Sequence, residues 1–143
     1  MRLGGRALTY GLLGWGIEVV YTATKEALKG EGDGKLRGES YVWMAPIYAA
    51  GGLAGEAVVA TLGGRPVWER GLAYAGAFWA VEASSGEALR RLVGDVPWGE
   101  DYRRYRDNLG GGLIRLSYLP NWAVAGLALE RVTPLLKRLR LEP

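Results

Sequence analysis

The chain has 143 residues, enough for one domain, and contains neither cysteine nor histidine. Thiol catalysis, disulfides, imidazole acid–base chemistry and the usual zinc sites are therefore excluded, and any bound metal would need oxygen ligands. The net charge of +3 arises from interleaved basic and acidic residues, so nothing in it indicates a nucleic-acid partner.

The aromatic and glycine content is unusual for a soluble helical domain. Six Trp, eight Tyr and 23 Gly accompany a single Phe. Membrane helices use Gly for close approach and place Trp and Tyr at the membrane interface. A soluble four-helix bundle is the alternative, but its helices would carry a polar stripe that the weakly charged segments of this chain lack. The composition therefore favours membrane helices.

Four weakly charged segments are long enough to span about 30 Å of hydrocarbon at about 1.5 Å per residue. In chain order they cover residues 7–24, 41–62, 71–88 and 116–129, and the last reaches 136 if two charged residues are included. The sequence therefore predicts an all-α integral membrane protein with four transmembrane helices, as a single transmembrane domain of residues 1–143.

An internal repeat relates these segments. A shift of 64 residues overlays the first segment on the third, and a shift of 74 overlays the second on the fourth. The matches include Arg, Tyr, Trp, Pro and Glu in the same order. We therefore predict two duplicated helical hairpins, repeat 1 over 6–62 and repeat 2 over 70–136. An even number of spans per copy gives both hairpins the same (parallel) orientation, with a pseudo-two-fold axis along the membrane normal.

Each predicted helix carries one carboxylate in two equivalent pairs, Glu18 with Glu82 and Glu56 with Glu130. An ionised carboxylate facing lipid is costly, so all four are expected to face the bundle interior, to be protonated, or to pair with Arg. Glu18 and Glu82 are expected to approach each other across the pseudo-axis. The four acids are predicted to bind a proton or a cation. The alternative, that they are buried assembly contacts, stays open because intramembrane acids serve both purposes.

The connector before the fourth segment interleaves aromatic and basic residues. We predict residues 90–112 to be a membrane-interface loop, with Trp and Tyr rings at headgroup depth and Arg on lipid phosphates. A second interpretation takes the three glycines 110–112 as backbone that re-enters the bundle, with Arg115 facing the acids.

Several of these stretches together resemble one family. They are GWGIEVVY, WMAPIY, ERGLAYAGAFWAVEASSG, VPW followed by DY, and GLIRLSYLPNW with a downstream GLALE. Over about residues 10–130 the chain resembles the CmpB-like ABC-transporter type IV membrane family, which includes transmembrane protein 229. The resemblance implies a small four-helix integral membrane protein. The supporting residues expected around the acids are Trp15, Trp79, Arg70, Arg115, Asp101, Tyr102, Asn108 and Tyr118.

The function predicted on these grounds is that of a small permease or channel-like protein in a prokaryotic plasma membrane. Its partners would be the lipid bilayer and a proton, cation or small-molecule substrate, and formation of a homo-oligomer stays open. No cofactor and no catalytic residue is predicted, and the identity of any metal is unknown. The alternatives are a structural or accessory membrane subunit, and an enzyme that acts on a lipid headgroup with carboxylates alone.

Overall fold

Four long helices dominate the computed structural model, which describes residues 2–30 and 34–138. The helices, in chain order, are α1 (Leu3–Lys29), α2 (Met44–Leu62), α3 (Val67–Val93), the short α4 (Gly99–Arg103) and α5 (Leu119–Arg138). Between α4 and α5 lie a two-stranded antiparallel hairpin, β1 (Asn108–Leu109) with β2 (Ile114–Arg115), and a 3-10 turn at Leu116–Tyr118. The protein is all-α in class, as predicted, with 75% of it helical.

Local signals explain where the long helices begin and end. α1 and α3 end at Gly30 and Gly94, both in the left-handed region with φ of 73° and 93°, and each glycine N–H bonds back to a carbonyl of the last helical turn. Glycine adopts this conformation without steric cost. Pro66 precedes the first residue of α3, where its fixed φ and missing N–H are tolerated. Both helices extend several residues beyond the apolar segments predicted from the sequence.

The four long helices form a bundle. α1 packs on α2, α2 on α3, and α3 on α5, with a smaller contact between α2 and α5. α1 and α3 begin, and α2 and α5 end, at what is here called the terminal end of the bundle. The opposite end is the connector end, because it carries the connector, residues 94–118.

Tyrosine rings lying on glycines make the closest contacts between the helices. Tyr10 of α1 lies against Gly52 of α2, and Tyr74 of α3 lies against Gly126 of α5. Tyr74 is 1% exposed and is the largest fully buried side chain among the described residues. The missing side chain at each glycine lets the two helices approach closely enough for the ring to fill the space. The interior is therefore built from aromatic rings and small residues more than from large aliphatic side chains.

One helix of the described chain, α2, is long and apolar enough to cross a membrane by length and composition. The sequence analysis predicted four membrane-spanning helices, whereas among the described residues only α2 meets this criterion of length and hydropathy. α1, α3 and α5 contain a larger share of Gly, Trp, Tyr and charged residues, and these lower the mean hydropathy of a helix.

Replacing Gly126 by alanine should destabilise the fold. A Cβ at this position would overlap the Tyr74 ring, and Tyr74 is too enclosed to move aside. We expect Gly126→Ala to lower the free energy of unfolding by about 1–3 kcal/mol, the usual cost of overpacking. Denaturant titration of the purified protein measures this change.

The matched control is Gly76→Ala in α3, where a Cβ would meet nothing within 4 Å. Alanine is the better helix former, so this variant should gain up to about 1 kcal/mol. Equal effects of the two substitutions would contradict the packing role of the Tyr74–Gly126 contact.

Candidate functional site

Glu56 is held by an ion pair at the terminal end. The Nε of Arg6 lies 2.8 Å from its Oε1, and Tyr10 donates its hydroxyl to the same oxygen at 2.8 Å. Lys137 lies 3.5 Å from Oε2, and the Tyr10 hydroxyl also hydrogen-bonds that of Thr133 at 3.0 Å. The charge of Glu56 is therefore balanced by cations from α1 and α5.

Glu130 has a corresponding set of partners. Arg70 donates to it through two nitrogens, Nε to Oε1 at 2.8 Å and Nη2 to Oε2 at 3.1 Å. Tyr74 contacts the same carboxylate. Each of these residues is related to its counterpart around Glu56 by the shifts found in the sequence. Both acids thus join the two helices of one hairpin.

Glu82 has a different environment near the connector end. It is 8% exposed, and the hydroxyl of Tyr102 donates to its Oε1 at 2.6 Å. The indole N–H of Trp122 approaches the carboxylate without forming a hydrogen bond in this conformation. Oε2 is buried and has no hydrogen-bond partner. No Lys or Arg within the described residues forms an ion pair with Glu82.

Glu18, the counterpart of Glu82 in α1, also lacks an ion pair within the described residues. The hydroxyl-bearing side chains of Ser40 and Tyr48 lie close to it, and its Oε2 is buried without a hydrogen-bond partner. The loop before α2 brings Ser40 there, because the Thr22 hydroxyl bonds both the N–H and the carbonyl of Glu39, at 2.9 and 3.0 Å. Glu18 is half-buried, so it is the more accessible of the two unpaired acids.

Tyr48 of α2 lies close to Glu18, and the Glu82 carboxylate lies within electrostatic range of its hydroxyl. Gly14 makes room for the ring, since a Cβ there would overlap it. Glu18 and Glu82 are not hydrogen-bonded to each other, and their close approach across the pseudo-axis stays a prediction.

The two tryptophans expected to support these acids do not bind them. Trp15 and Trp79 lie one turn before Glu18 and Glu82, but their indole N–H groups are buried without a hydrogen-bond partner. Around the unpaired carboxylates, buried donors and acceptors therefore remain unmatched. Such groups are uncommon in protein interiors and concentrate at functional sites.

The connector folds into a cap that carries Tyr102. Arg103 forms a two-point ion pair with Asp95, at 2.8 and 3.0 Å, and the Trp98 indole donates to the Leu113 carbonyl at 3.0 Å. Trp98 and Tyr102 therefore point into the protein, and the place of the connector at headgroup depth stays a prediction.

The three consecutive glycines shape this cap. Gly110, Gly111 and Gly112 all have positive φ, of 64°, 67° and 94°. Side chains rarely adopt this conformation, so a run of glycine is required. The turn presents the Gly110 carbonyl to Arg90 at 2.8 Å and seats Leu113 against Gly86 of α3.

Arg115 faces aromatic rings and Asp107 instead of the four acids. Its guanidinium lies 3.5 Å from the centre of the Tyr105 ring and 4.7 Å from that of Tyr118, and its Nε is 3.6 Å from Asp107. Tyr118 in turn packs edge-on against Tyr102 at 5.5 Å between ring centres. The interpretation in which Arg115 neutralises the acids is therefore wrong.

Two other predicted supporting residues lie away from the site. Asp101 is at the surface, with a side chain that is 72% exposed and 3.9 Å from Arg104. Asn108 donates its amide to the Tyr105 carbonyl within the connector. Tyr48, Ser40 and Trp122 were not predicted. The shift of 74 residues relates Tyr48 to Trp122 and could have identified both.

Tyr102 remains protonated in this environment. Burial raises the pKa of the Tyr102 hydroxyl, and the nearby Glu82 carboxylate raises it further. The tyrosine therefore keeps its proton at neutral pH and donates its hydroxyl to Glu82.

The described residues contain no group of three or more acidic side chains that could hold a metal ion. A divalent cation normally takes several carboxylate or carbonyl oxygens, so two separated carboxylates are a poor fit. The arrangement suits a proton, which needs a single oxygen.

Comparisons with known proteins returned no match: no family model, no curated protein and no solved structure is significantly similar to the chain.

The Asp95–Arg103 pair should make the cap sensitive to acid. The Arg103 guanidinium and then the Val96 N–H lower the pKa of Asp95 from its usual 3.8 to about 2. Because the folded pKa is the lower one, the stabilisation is complete above about pH 4 and is lost as the pH falls towards 2. NMR titration of the Val96 N–H, which donates to Asp95, should show a midpoint near pH 2. In Asp95→Asn this transition should be absent, and a wild-type midpoint near 4 would contradict the ion pair.

Proposed function

We propose that the protein is a four-span integral membrane protein of the permease or channel-like class that binds a proton at Glu18 and Glu82. The observation that carries the proposal is the contrast between the two pairs of acids. Glu56 and Glu130 are balanced by arginines, whereas Glu18 and Glu82 each keep a buried, unpartnered carboxylate oxygen. Acids that serve only as structural contacts would be expected to have partners, and an unpartnered buried carboxylate is a favourable place for a proton.

The distribution of polar and apolar residues supports membrane insertion. Ile17 and Val20 on α1 are 68% and 65% exposed, while Glu56 and Glu82 are 9% and 8% exposed. Leu12 and Leu13 line the same stretch of the α1 surface as Ile17 and Val20 and are also exposed. A continuous apolar surface of this kind is rare on soluble monomers and is favourable against lipid.

The contacts of the two hairpins support an internal duplication. In both Arg6–Glu56 and Arg70–Glu130 the arginine Nε lies 2.8 Å from Oε1 of the glutamate, and Tyr10 on Gly52 matches Tyr74 on Gly126. Every one of these positions is related by the two sequence shifts. On this basis, each hairpin contributes one paired acid near the terminal end and one unpaired acid nearer the connector end, and the hairpins cross the membrane in parallel orientation.

The resemblance to the CmpB-like membrane family favours the same class of protein. It covers the helices that carry the acids and also the Tyr102 segment of the connector. It adds no substrate, so the proposal of a proton depends on the chemistry of the carboxylates alone.

A structural or accessory subunit is the second candidate. The observation that favours it is the pair of Arg–Glu contacts at the terminal end, which have no unmatched oxygen and join helices within each hairpin. On this alternative Glu18 and Glu82 would be assembly contacts as well.

Membrane insertion can be tested by thiol labelling, because the chain has no native cysteine. Ile17→Cys places a thiol on the apolar face of α1, and Glu100→Cys places one on the exposed surface of the connector. In intact membranes we expect a water-soluble maleimide to label position 100 and not position 17. Equal labelling rates, or recovery of the protein in the soluble fraction, would contradict membrane insertion.

Proton binding can be tested by replacing each unpaired acid. Glu82→Gln and Glu18→Gln keep the side-chain shape but remove the titrating group. We expect each to abolish proton flux into liposomes under an imposed pH gradient while leaving the protein folded, because Tyr102 can still donate to a glutamine oxygen.

Glu130→Gln is the matched control. It leaves Arg70 without its anion and should lower the free energy of unfolding by about 1–3 kcal/mol, between the values for exposed and buried pairs. Flux per folded molecule should be kept. Full flux in both Glu18→Gln and Glu82→Gln would refute proton transport through these acids and leave the accessory role.

A further inference from the structure

Tyr102 reaches Glu82 from outside the long helices. It lies on α4, a five-residue helix of the connector, while Glu82 lies in the middle of α3. Their hydrogen bond, at 2.6 Å, is short enough to be a charge-assisted bond to an ionised carboxylate. The hydroxyl therefore comes from a segment outside the long helices of the bundle.

The connector holds this hydroxyl in one place. The Asp95–Arg103 pair and the Trp98–Leu113 bond fix the two sides of α4. Gly99, at the start of α4, packs so closely against Arg103 and Val96 that a side chain there would displace them. These contacts hold α4, a helix of one and a half turns, in place. They therefore also fix the position of the Tyr102 hydroxyl.

We propose that Tyr102 is the positioning residue of the Glu82 site, and that its hydroxyl sets the pH at which Glu82 takes up and releases the proton. This inference rests on the proposed function. Tyr102 keeps its own proton, so its O–H bond is not broken. On uptake an O–H bond of a hydronium ion breaks as one forms at Oε2 of Glu82, the oxygen without a partner. On release that bond breaks and the proton passes back to water.

The direction of the effect follows from hydrogen-bond chemistry. A donor to a carboxylate favours its ionised form, so Tyr102 promotes release of the proton. The other groups that face Glu82 are Tyr48 from α2, which titrates, and Trp122 from α5, which does not. Arg115 of β2 lies over the Tyr102 ring, 6.0 Å from its centre.

The counterpart acid has no donor of this strength. Ser40 and Tyr48 lie close to Glu18, but neither forms a bond comparable to the one from Tyr102. Glu82 therefore accepts a short hydrogen bond from a neutral donor and Glu18 does not, although the two acids occupy corresponding positions in their helices. The inference predicts that loss of the Tyr102 hydroxyl alters the behaviour of one acid and leaves the other unchanged.

The test is an infrared titration of the purified protein in lipid. The band of the protonated Glu82 carboxyl is assigned as the one lost in Glu82→Gln. In Tyr102→Phe, which keeps the ring, we expect the pH at which this band is half lost to rise by about one to two units, the value of one hydrogen bond to a charged group. Arg103→Ala, which loosens α4 but keeps the hydroxyl, should give a smaller rise.

Tyr105→Phe is the matched control, since Tyr105 lies in the same connector with its ring on Arg115 and its side chain 45% exposed. Its midpoint should equal that of the wild type. An unchanged midpoint in folded Tyr102→Phe would overturn the inference.

The same variants separate this inference from the proposed function. If Glu82→Gln abolishes flux while Tyr102→Phe titrates like the wild type, only the role of Tyr102 fails. If Glu82→Gln keeps full flux but the band still shifts in Tyr102→Phe, the positioning role stands and the transport function fails.

Discussion

Four glutamates lie between the four long helices, and this is the constraint on which the arrangement depends. Glu56 and Glu82 are buried, and Glu18 and Glu130 are half-buried. A carboxylate removed from water loses several kcal/mol of solvation unless donors or cations replace it. At the terminal end the replacement is complete, because Arg6 and Arg70 each reach across to the acid of the neighbouring helix. The two ion pairs tie each hairpin at one end and fix how far one helix can slide past the other.

The tyrosine–glycine contacts work together with these ion pairs. Tyr10 and Tyr74 lie one turn after the arginines, and each ring covers a glycine while its hydroxyl contacts the paired acid. The ring and the ion pair are therefore parts of one contact that excludes water from the carboxylate. A dry setting strengthens the electrostatic attraction between the charges, so the close packing at glycine also stabilises the pair.

Much of the helical framework could be predicted from the sequence, because it follows from local patterns. The apolar segments predicted the four long helices, and the ordered Arg, Tyr and Glu matches placed the acids on them. The connector could not be predicted in the same way. The bond from Tyr102 to Glu82 joins residues 20 positions apart in different elements, and no periodicity encodes it.

The sequence also could not predict which arginine pairs with which acid. Arg70 and Arg115 were both expected around the acids, and of these two Arg70 pairs with one of them, Glu130. The structure holds Arg115 on the Tyr105 ring, where it makes a cation–π contact and an ion pair with Asp107 at 3.6 Å. Sequence spacing shows which residues share a helix face, whereas the choice among several arginines depends on tertiary geometry.

The two hairpins differ in the side chains around their unpaired acids. This difference explains why the connector donates a hydrogen bond to Glu82 and not to Glu18. In the first hairpin Gly14 makes room for Tyr48, whereas at the corresponding positions of the second hairpin Phe78 meets Trp122 edge-on at 5.9 Å. The packing contact of α3 with α5 is less extensive than that of α1 with α2, as expected of two large rings between the helices. Tyr48 can supply a hydroxyl to Glu18 from within the bundle, but the indole of Trp122 has no oxygen and makes no hydrogen bond. Glu82 therefore depends on a donor from outside its hairpin, and the connector provides it.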